Sequence, residues 1–247
     1  FAGAGSLGNG SVDAYDTCYA LRVGGVDYMP MGASTLSLAG RQVELPAQSM
    51  AGLTVRRLVY VPAAGGDWAR YLEILDNPGA SPVTTTVEVF GNLGSDSGTV
   101  ISASSSGDAR VDTSDLWLAT DDAADGAGDP SLAHVFSGAS PSLGVTTASM
   151  SGDNLEYSWS VTVPASGRVV IMHFAVQTAN RAAAAAEAMT LESAPDAALM
   201  GADAYLDAVV NFDLASEGAP QVRFEGPFEA EEGAELVIDV RVEDLDG

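Results

Sequence analysis

Aspartates are the residues of this chain that are best suited to chemistry, and they crowd one stretch between positions 112 and 129. Calcium takes six to eight hard oxygen ligands, and the glycines at positions 126 and 128 would let this stretch fold round an ion. The spacing matches neither the EF-hand loop nor the nonapeptide calcium repeat, so the other interpretation is a solvated loop of Asx turns. The predicted calcium ligands here are Asp121, Asp122, Asp125 and Asp129.

The two histidines lie in different surroundings, and neither belongs to a known catalytic motif. His173 falls in the apolar run 169–176, where we expect a buried side chain with hydrogen-bond partners. His134 follows the acidic stretch and could contact Asp122 or Asp129. The chain has no Gly-x-Ser-x-Gly elbow for a nucleophilic serine and no His-Glu-x-x-His spacing for zinc. The sequence therefore predicts a protein that is not an enzyme.

Five large aromatic residues could either form a sugar-stacking face or fill the core: Trp68, Trp117, Trp159, Tyr60 and Tyr71. Glycoside cleavage would also require two carboxylates roughly 5–9.5 Å apart, and no such pair can be recognised from the spacing along the chain. Because Trp159 alternates with polar residues, core packing is the favoured interpretation. The exposure of Trp68 and Trp117 separates the two interpretations.

Acidic residues outnumber basic ones by 34 to 10, which gives a formal net charge of −24 and a pI near 4.1. Such a surface disfavours nucleic acid and anionic membranes but tolerates cations and basic partners. All ten basic residues are arginines, so chemistry that needs a lysine is excluded. Cys18 is the single cysteine, and we expect a buried free thiol. No apolar run approaches the roughly 18 residues of a membrane span, so membrane insertion is not predicted.

Residues 12–176 have the pattern of strands separated by turns. Residues 157–163 alternate between apolar and polar, as do residues 83–89, which predicts strands with one buried face. Residues 169–176 are apolar on both faces, as in a central strand covered on both sides. Glycine, proline and asparagine turn signals, such as Gly91-Asn92, divide the region into about a dozen strands. The pattern is mainly β and predicts a large antiparallel β-sandwich, similar to a supersandwich.

Helix is predicted only between about residues 178 and 212. Asn180 can cap the alanine run that follows it, and alanine is the best helix former. A second helix is predicted to carry Pro195 in its first turn and to continue to about Phe212, with a break at Gly201. We assign residues 1–215 to one β-sandwich module that ends in these short helices.

Residues 219–247 have a different pattern, which rests on Pro220-Gln221-Val222, Glu232-Gly233-Ala234 and Val240-Arg241-Val242-Glu243-Asp244-Leu245-Asp246-Gly247. This segment resembles the start of an immunoglobulin-like or cadherin-like repeat. The resemblance implies an incomplete Ig-like repeat with two strands, 221–224 and 235–243, in a protein that continues beyond Gly247 into neighbouring domains. Acidic motifs near the domain junctions of such repeats bind calcium, which implies Asp244, Asp246 and Glu232 as further ligands.

The larger part of the chain has motifs of its own, namely RLVYVP at residues 57–62, RYLEIL at 70–75, NP at 77–78, GNLGSD at 91–96 and DD at 121–122. Through these motifs, residues 10–212 resemble uncharacterised β-rich modules of very large secreted bacterial proteins. Those modules commonly precede repeat arrays. The resemblance implies an extracellular or cell-surface location and a modular parent protein, and it implies no activity.

These patterns together predict a non-catalytic extracellular module, structural or adhesive, within a larger secreted or surface protein. Calcium is the one cofactor that the sequence suggests, and the partner would be an unidentified protein or glycan. The alternative is a carbohydrate-binding or carbohydrate-active β-sandwich domain, for which surface aromatics and carboxylates would form the site.

Overall fold

The computed structural model describes residues 3–8, 13–126 and 128–214. By its internal contacts the chain divides between Asp213 and Leu214, and all the described strands and helices belong to the first unit. The predicted strands at 221–224 and 235–243 lie outside the described residues, as do the predicted ligands Asp244 and Asp246.

Five of the described strands form the smaller of two antiparallel sheets. These strands are β1 (Ala20–Val23), β2 (Val26–Asp27), β8 (Val83–Asn92), β12 (Thr147–Ser151) and β13 (Asn154–Val163). Their order across the sheet is β12-β13-β8-β1-β2. The ten residues of β8 pair with all ten of β13, so these two strands form the longest strand pair of the sheet.

Nine strands form the larger sheet. They are β3 (Thr35–Ser37), β4 (Gln42–Glu44), β5 (Gln48–Met50), β6 (Leu53–Tyr60), β7 (Trp68–Asp76), β9 (Val100–Ser104), β10 (Trp117–Asp121), β11 (Ser131–Val135) and β14 (Arg168–Thr178). Their order is β3-β4-β6-β7-β14-β11-β10-β9, and β5 pairs with β6. The prediction of a mainly β protein with a large antiparallel sandwich is confirmed.

The core lies between the two sheets and is built from alternate side chains. Tyr157, Trp159, Val161 and Val163 of β13 are all buried, as their spacing predicts. Strand β14 is buried on both faces from Val169 to Val176, because one face meets the core and a helix contacts the strand from outside. Its two-sided apolar sequence is therefore explained by its central position in the sheet.

That helix is α1 (Arg181–Glu192), which packs on the outer face of the larger sheet against β10, β11 and β14. The Asn180 side chain caps it, since its Oδ1 accepts a hydrogen bond from the Ala183 amide at 2.9 Å. Ala184, Ala188 and Leu191 are buried at helical spacing, so the alanines serve as a close-packing face. The predicted cap and the predicted first helix are both confirmed.

The second helix is shorter than predicted. Helix α2 (Asp196–Leu199) has four residues and is followed by turns and one 3-10 turn, so the expected continuation to residue 212 is wrong. The buried Arg70 guanidinium satisfies carbonyls at its C-terminal end, donating hydrogen bonds to those of Ala198 and Met200 at 2.7 and 3.0 Å. The chain then turns at Gly201, whose φ is +71°. Among the described residues, no helix is long and apolar enough to span a lipid bilayer.

Candidate functional site

Three charged or titratable side chains form a cluster between the sheets, on the inward face of β6, β7 and β14. They are Arg57, Glu73 and His173, and all three are fully buried. Arg57 and Glu73 are directly opposite each other across the β6–β7 pair, and His173 comes from the neighbouring strand. Arg57 Nη2 lies 2.6 Å from Glu73 Oε1, and His173 Nε2 lies 2.8 Å from the same oxygen.

In this cluster Arg57 and Glu73 stabilise each other's charged forms, which burial alone would disfavour. Burial by itself would raise the pKa of Glu73, but the Arg57 charge and the bond from His173 outweigh it, so the pKa is lowered. Burial opposes the Arg57 charge in the same way, yet Glu73 keeps the pKa of the guanidinium above its usual value. The pKa of His173 is lowered, because burial prevails over the attraction of Glu73.

Backbone contacts extend the cluster to the start of the chain. Arg57 Nη1 donates to the carbonyl of Tyr19 at 2.7 Å and to that of Ala4 at 3.2 Å. Tyr71 stacks on the His173 ring with centroids 4.8 Å apart, and the Arg57 guanidinium lies 5.0 Å from the Tyr71 ring centre. The cluster thereby joins the larger sheet to the segment that leads into β1.

His134 occupies a second buried position, on the inward face of β11. Its Nδ1 lies 2.6 Å from the Tyr19 hydroxyl and its Nε2 lies 3.0 Å from the Thr120 hydroxyl. Burial lowers the pKa of His134 to about 3. The expected contact with Asp122 or Asp129 is therefore wrong, because the side chain points into the core rather than toward the acidic stretch. The expectation of a buried, hydrogen-bonded His173 is confirmed.

Cys18 is also buried, as predicted, and burial raises the pKa of its thiol to about 12. A thiol with so high a pKa stays protonated at neutral pH and is a poor nucleophile. The thiol and both imidazoles are thus enclosed in the sandwich. In this arrangement they support the fold and are not exposed to a dissolved substrate.

The predicted calcium stretch is a loop whose carboxylates are bonded to protein donors. Asp121 is buried at the end of β10, and its Oδ2 accepts hydrogen bonds from Ser131 at 2.8 Å and from Arg181 Nε at 2.9 Å. Asp125 accepts from the Arg181 amide at 2.9 Å. Asp122 accepts from the backbone amides of Ala124 and Asp129, at 2.7 and 3.2 Å. The loop therefore holds the first turn of α1 against the sheet.

Asp129 lies near the other carboxylates of this end of the molecule. Partial burial raises its pKa, and the charges of Asp122, Asp13 and Asp96 add to the effect. In the part of the chain that the structure describes, no group of three or more histidine, cysteine, aspartate or glutamate side chains is arranged to hold a metal ion. Calcium binding by Asp121, Asp122, Asp125 and Asp129 stays a prediction.

The large aromatic side chains lie in the core or under other elements. Trp68 and Trp117 are each 5% exposed, and Trp159 is fully buried. The Trp117 indole donates to Glu192 Oε2 of α1 at 3.0 Å. Trp68 lies beneath Gly66, where an added Cβ would sit 1.9 Å from the indole nitrogen. Neither tryptophan therefore presents a free stacking face.

A groove of ≈ 580 Å³ opens beside Trp68, at the end of the larger sheet. Its lining includes Tyr15 and Trp68, which are only 4% and 5% exposed, and the polar residues Asp67 and Gln177. The groove is large enough for a small ligand, since such pockets usually measure about 300–1,000 Å³. No pattern in the sequence marked it, because its lining comes from four distant segments.

No family model matches the chain, and no curated protein matches it. Among solved structures it is similar to the heparan sulfate lyase HepC from Pedobacter heparinus, with 11% identity and a TM-score of 0.43 over 66% of this chain and 24% of that one. It is also similar to a candidate kojibiose phosphorylase from the human microbiome, with 9% identity and a TM-score of 0.47 over 81% and 29%.

The protein Slr1438 from Synechocystis sp. PCC 6803 is similar as well, with 11% identity and a TM-score of 0.40 over 71% of this chain and 76% of that one. The chain spans about a quarter of the lyase and less than a third of the phosphorylase. Because all three TM-scores lie below 0.5, nothing about the activity of this chain follows from them.

Proposed function

We propose that this chain is a non-catalytic structural or adhesion module of a larger secreted or cell-surface protein. The observation that carries the proposal is the location of the reactive side chains. His134, His173 and Cys18 are all buried in the sandwich, and both histidines are bonded to other core residues. Because these groups pack in the core, they are not available for chemistry at the surface, and the surface can serve for contacts with other molecules.

The buried ion pair also suits a structural module. Arg57 and Glu73 satisfy each other through three close contacts at 2.6 and 3.0 Å, and Arg57 further binds the backbone ahead of β1. A buried pair of this kind specifies one alignment of the strands that carry it, because a shifted register would leave a charge unpaired. The module then keeps one shape without a disulfide.

Cell labelling tests the location. Antibodies raised against the purified chain should bind intact, unpermeabilised source cells or their culture medium, and brief protease treatment of the cells should remove the signal. A cytoplasmic protein from the same cells serves as the control for intact membranes. Labelling that appears only after permeabilisation would refute the proposal.

The carbohydrate alternative is favoured by one feature, the groove beside Trp68. Soluble oligosaccharides that occupy it should change the tryptophan fluorescence of the chain, and Gln177→Ala should weaken that response because Gln177 lines the groove. Trp117→Phe is the matched control, since Trp117 lies outside it. A panel of neutral, acidic and amino sugars that produces no saturable signal would exclude this alternative.

A further inference from the structure

A second groove, next to β2, is lined mainly by apolar side chains and is open to solvent. It measures ≈ 560 Å³, and its apolar lining includes Tyr28, Met29, Pro30, Met31 and Phe90. Met29 is 73% exposed and Met31 is 91% exposed. Contiguous apolar surface of this kind on a soluble protein marks a binding site more often than chance. We call it the methionine groove.

The backbone of the methionine groove is held in place by the rest of the fold. Tyr28 is buried, and its hydroxyl donates to the Pro46 carbonyl at 2.6 Å. The Met29 amide donates to Gln48 Oε1 at 2.7 Å. The loop therefore loses little backbone freedom when a ligand binds, while the unbranched methionine side chains can adapt to its shape.

Charge decides what kind of ligand the groove can accept. Asp27 lines it. Arg22 is the nearby cation, and it is already bonded to both Asp27 and Glu88. The surroundings are thus net negative, as is the whole chain at −24. A second copy of this negatively charged chain would be repelled, whereas a cationic ligand would be attracted.

We propose that the methionine groove binds a peptide segment of another protein that combines aliphatic side chains with lysine or arginine. The aliphatic side chains pack against Met29 and Met31, and the cationic ones lie near Asp27. Such a surface would serve a structural module and a carbohydrate-binding module alike. The inference therefore does not depend on the location or the class of the chain.

A peptide-binding measurement tests the inference. The probe is a short fluorescent peptide of alternating leucine and lysine, and the comparison peptides alternate leucine with glutamate or serine with lysine. The double variant Met29→Gln, Met31→Gln removes the apolar contact without changing charge. Met189→Gln is the matched control, because Met189 is 57% exposed but lies on α1, outside the groove.

The leucine–lysine peptide should bind the full chain most tightly, and its affinity should fall with added salt. The double variant should lose at least about tenfold in affinity, as expected when central anchors are removed from an interface. Met189→Gln should bind as the natural chain does, and all three proteins should melt alike. Equal binding of the leucine–glutamate peptide, or an equal loss in Met189→Gln, would overturn the inference. Concentration-dependent self-association that the double variant abolishes would also overturn it, in favour of a second copy.

Discussion

Glu73 supplies the negative charge that the buried Arg57 requires, so its charge should matter to stability. We expect Glu73→Gln to lower the free energy of unfolding by about 3–5 kcal/mol, because it leaves a buried guanidinium without its counter-charge. Urea denaturation measures the loss. The double variant Glu73→Gln, Arg57→Met should be more stable than the single one, since it removes both charges together.

Glu44→Gln is the matched control for that variant. Glu44 accepts a hydrogen bond from Arg56, the neighbour of Arg57 on the opposite face of β6, at 2.8 Å. Both side chains of this pair are partly exposed, so the loss should stay below about 1 kcal/mol. Similar losses in Glu73→Gln and Glu44→Gln would contradict the structural role that we assign to the buried pair.

His134 should make the stability depend on pH. The unfolded chain binds a proton at this histidine below about pH 6.5, whereas burial lowers the pKa in the folded chain to about 3. The unfolded state therefore binds more protons in this range, and the free energy of unfolding should fall as the pH falls. Between pH 7 and pH 5 the contribution of His134 is about 2 kcal/mol.

The measurement is a set of urea melts between pH 7 and pH 5 for the natural chain and for His134→Gln, which cannot take up the proton. Between pH 7 and pH 5 the free energy of unfolding should fall by about 2 kcal/mol less in His134→Gln than in the natural chain. Equal slopes would show that the imidazole is protonated in the folded chain, which its burial between Tyr19 and Thr120 does not allow.

Some of these residues were predictable from the sequence and others were not. The apolar run around His173 is enough to predict burial. Arg57 and Glu73 also lie in apolar runs, but their pairing depends on the register of β6 and β7, which the local sequence does not reveal. His134 was misplaced because proximity along the chain to the acidic stretch says nothing about which face of β11 the side chain occupies.

Gly91 shows how a turn signal can mislead at the scale of an element. Gly91-Asn92 has the composition of a turn, yet both residues belong to β8, which runs from Val83 to Asn92. The glycine is required because the segment leading to β1 crosses here: an added Cβ would lie 2.3 Å from Cys18 Cα and 2.5 Å from the Thr17 carbonyl oxygen. A glycine inside a strand can mark a close approach of another backbone as well as a turn.

We therefore expect Gly91→Ala to destabilise the chain by at least about 1–3 kcal/mol, the usual cost of overpacking. Hydrogen exchange should also become faster at the amides of residues 15–18, which lose their packing against β8. Gly144→Ala is the control, since nothing lies within 4 Å of an added Cβ there. A Gly91→Ala chain as stable as Gly144→Ala would show that the crossing segment is not held as described.

The elements themselves were predicted with unequal success, for physical reasons. Alternation in β13 and the two-sided apolar sequence of β14 follow from burial, and capping by Asn180 follows from side-chain chemistry. The end of α2 could not be predicted in this way, because the carbonyls there are bonded by Arg70, a residue more than a hundred positions earlier in the chain. Local propensity carries no information about such a tertiary contact.

At the scale of the whole molecule, the charge of −24 should make stability depend on salt. Repulsion among exposed carboxylates opposes the compact state, and salt screens it, with a Debye length of about 10 Å at 0.1 M. We expect Tm to rise by a few degrees between low salt and about 0.5 M NaCl in the presence of a chelator, since about 1 kcal/mol shifts Tm by about 2–4 °C in a chain of this size.

Replacing part of the NaCl by CaCl₂ at equal ionic strength, without chelator, then tests the calcium prediction. Screening alone gives nearly the same Tm in both salts, whereas a site that binds calcium only in the folded state gives a further rise that grows with calcium concentration. A Tm that does not change with NaCl would show that the carboxylates are too dispersed to oppose folding, and a Tm that does not respond to calcium would exclude the predicted ions.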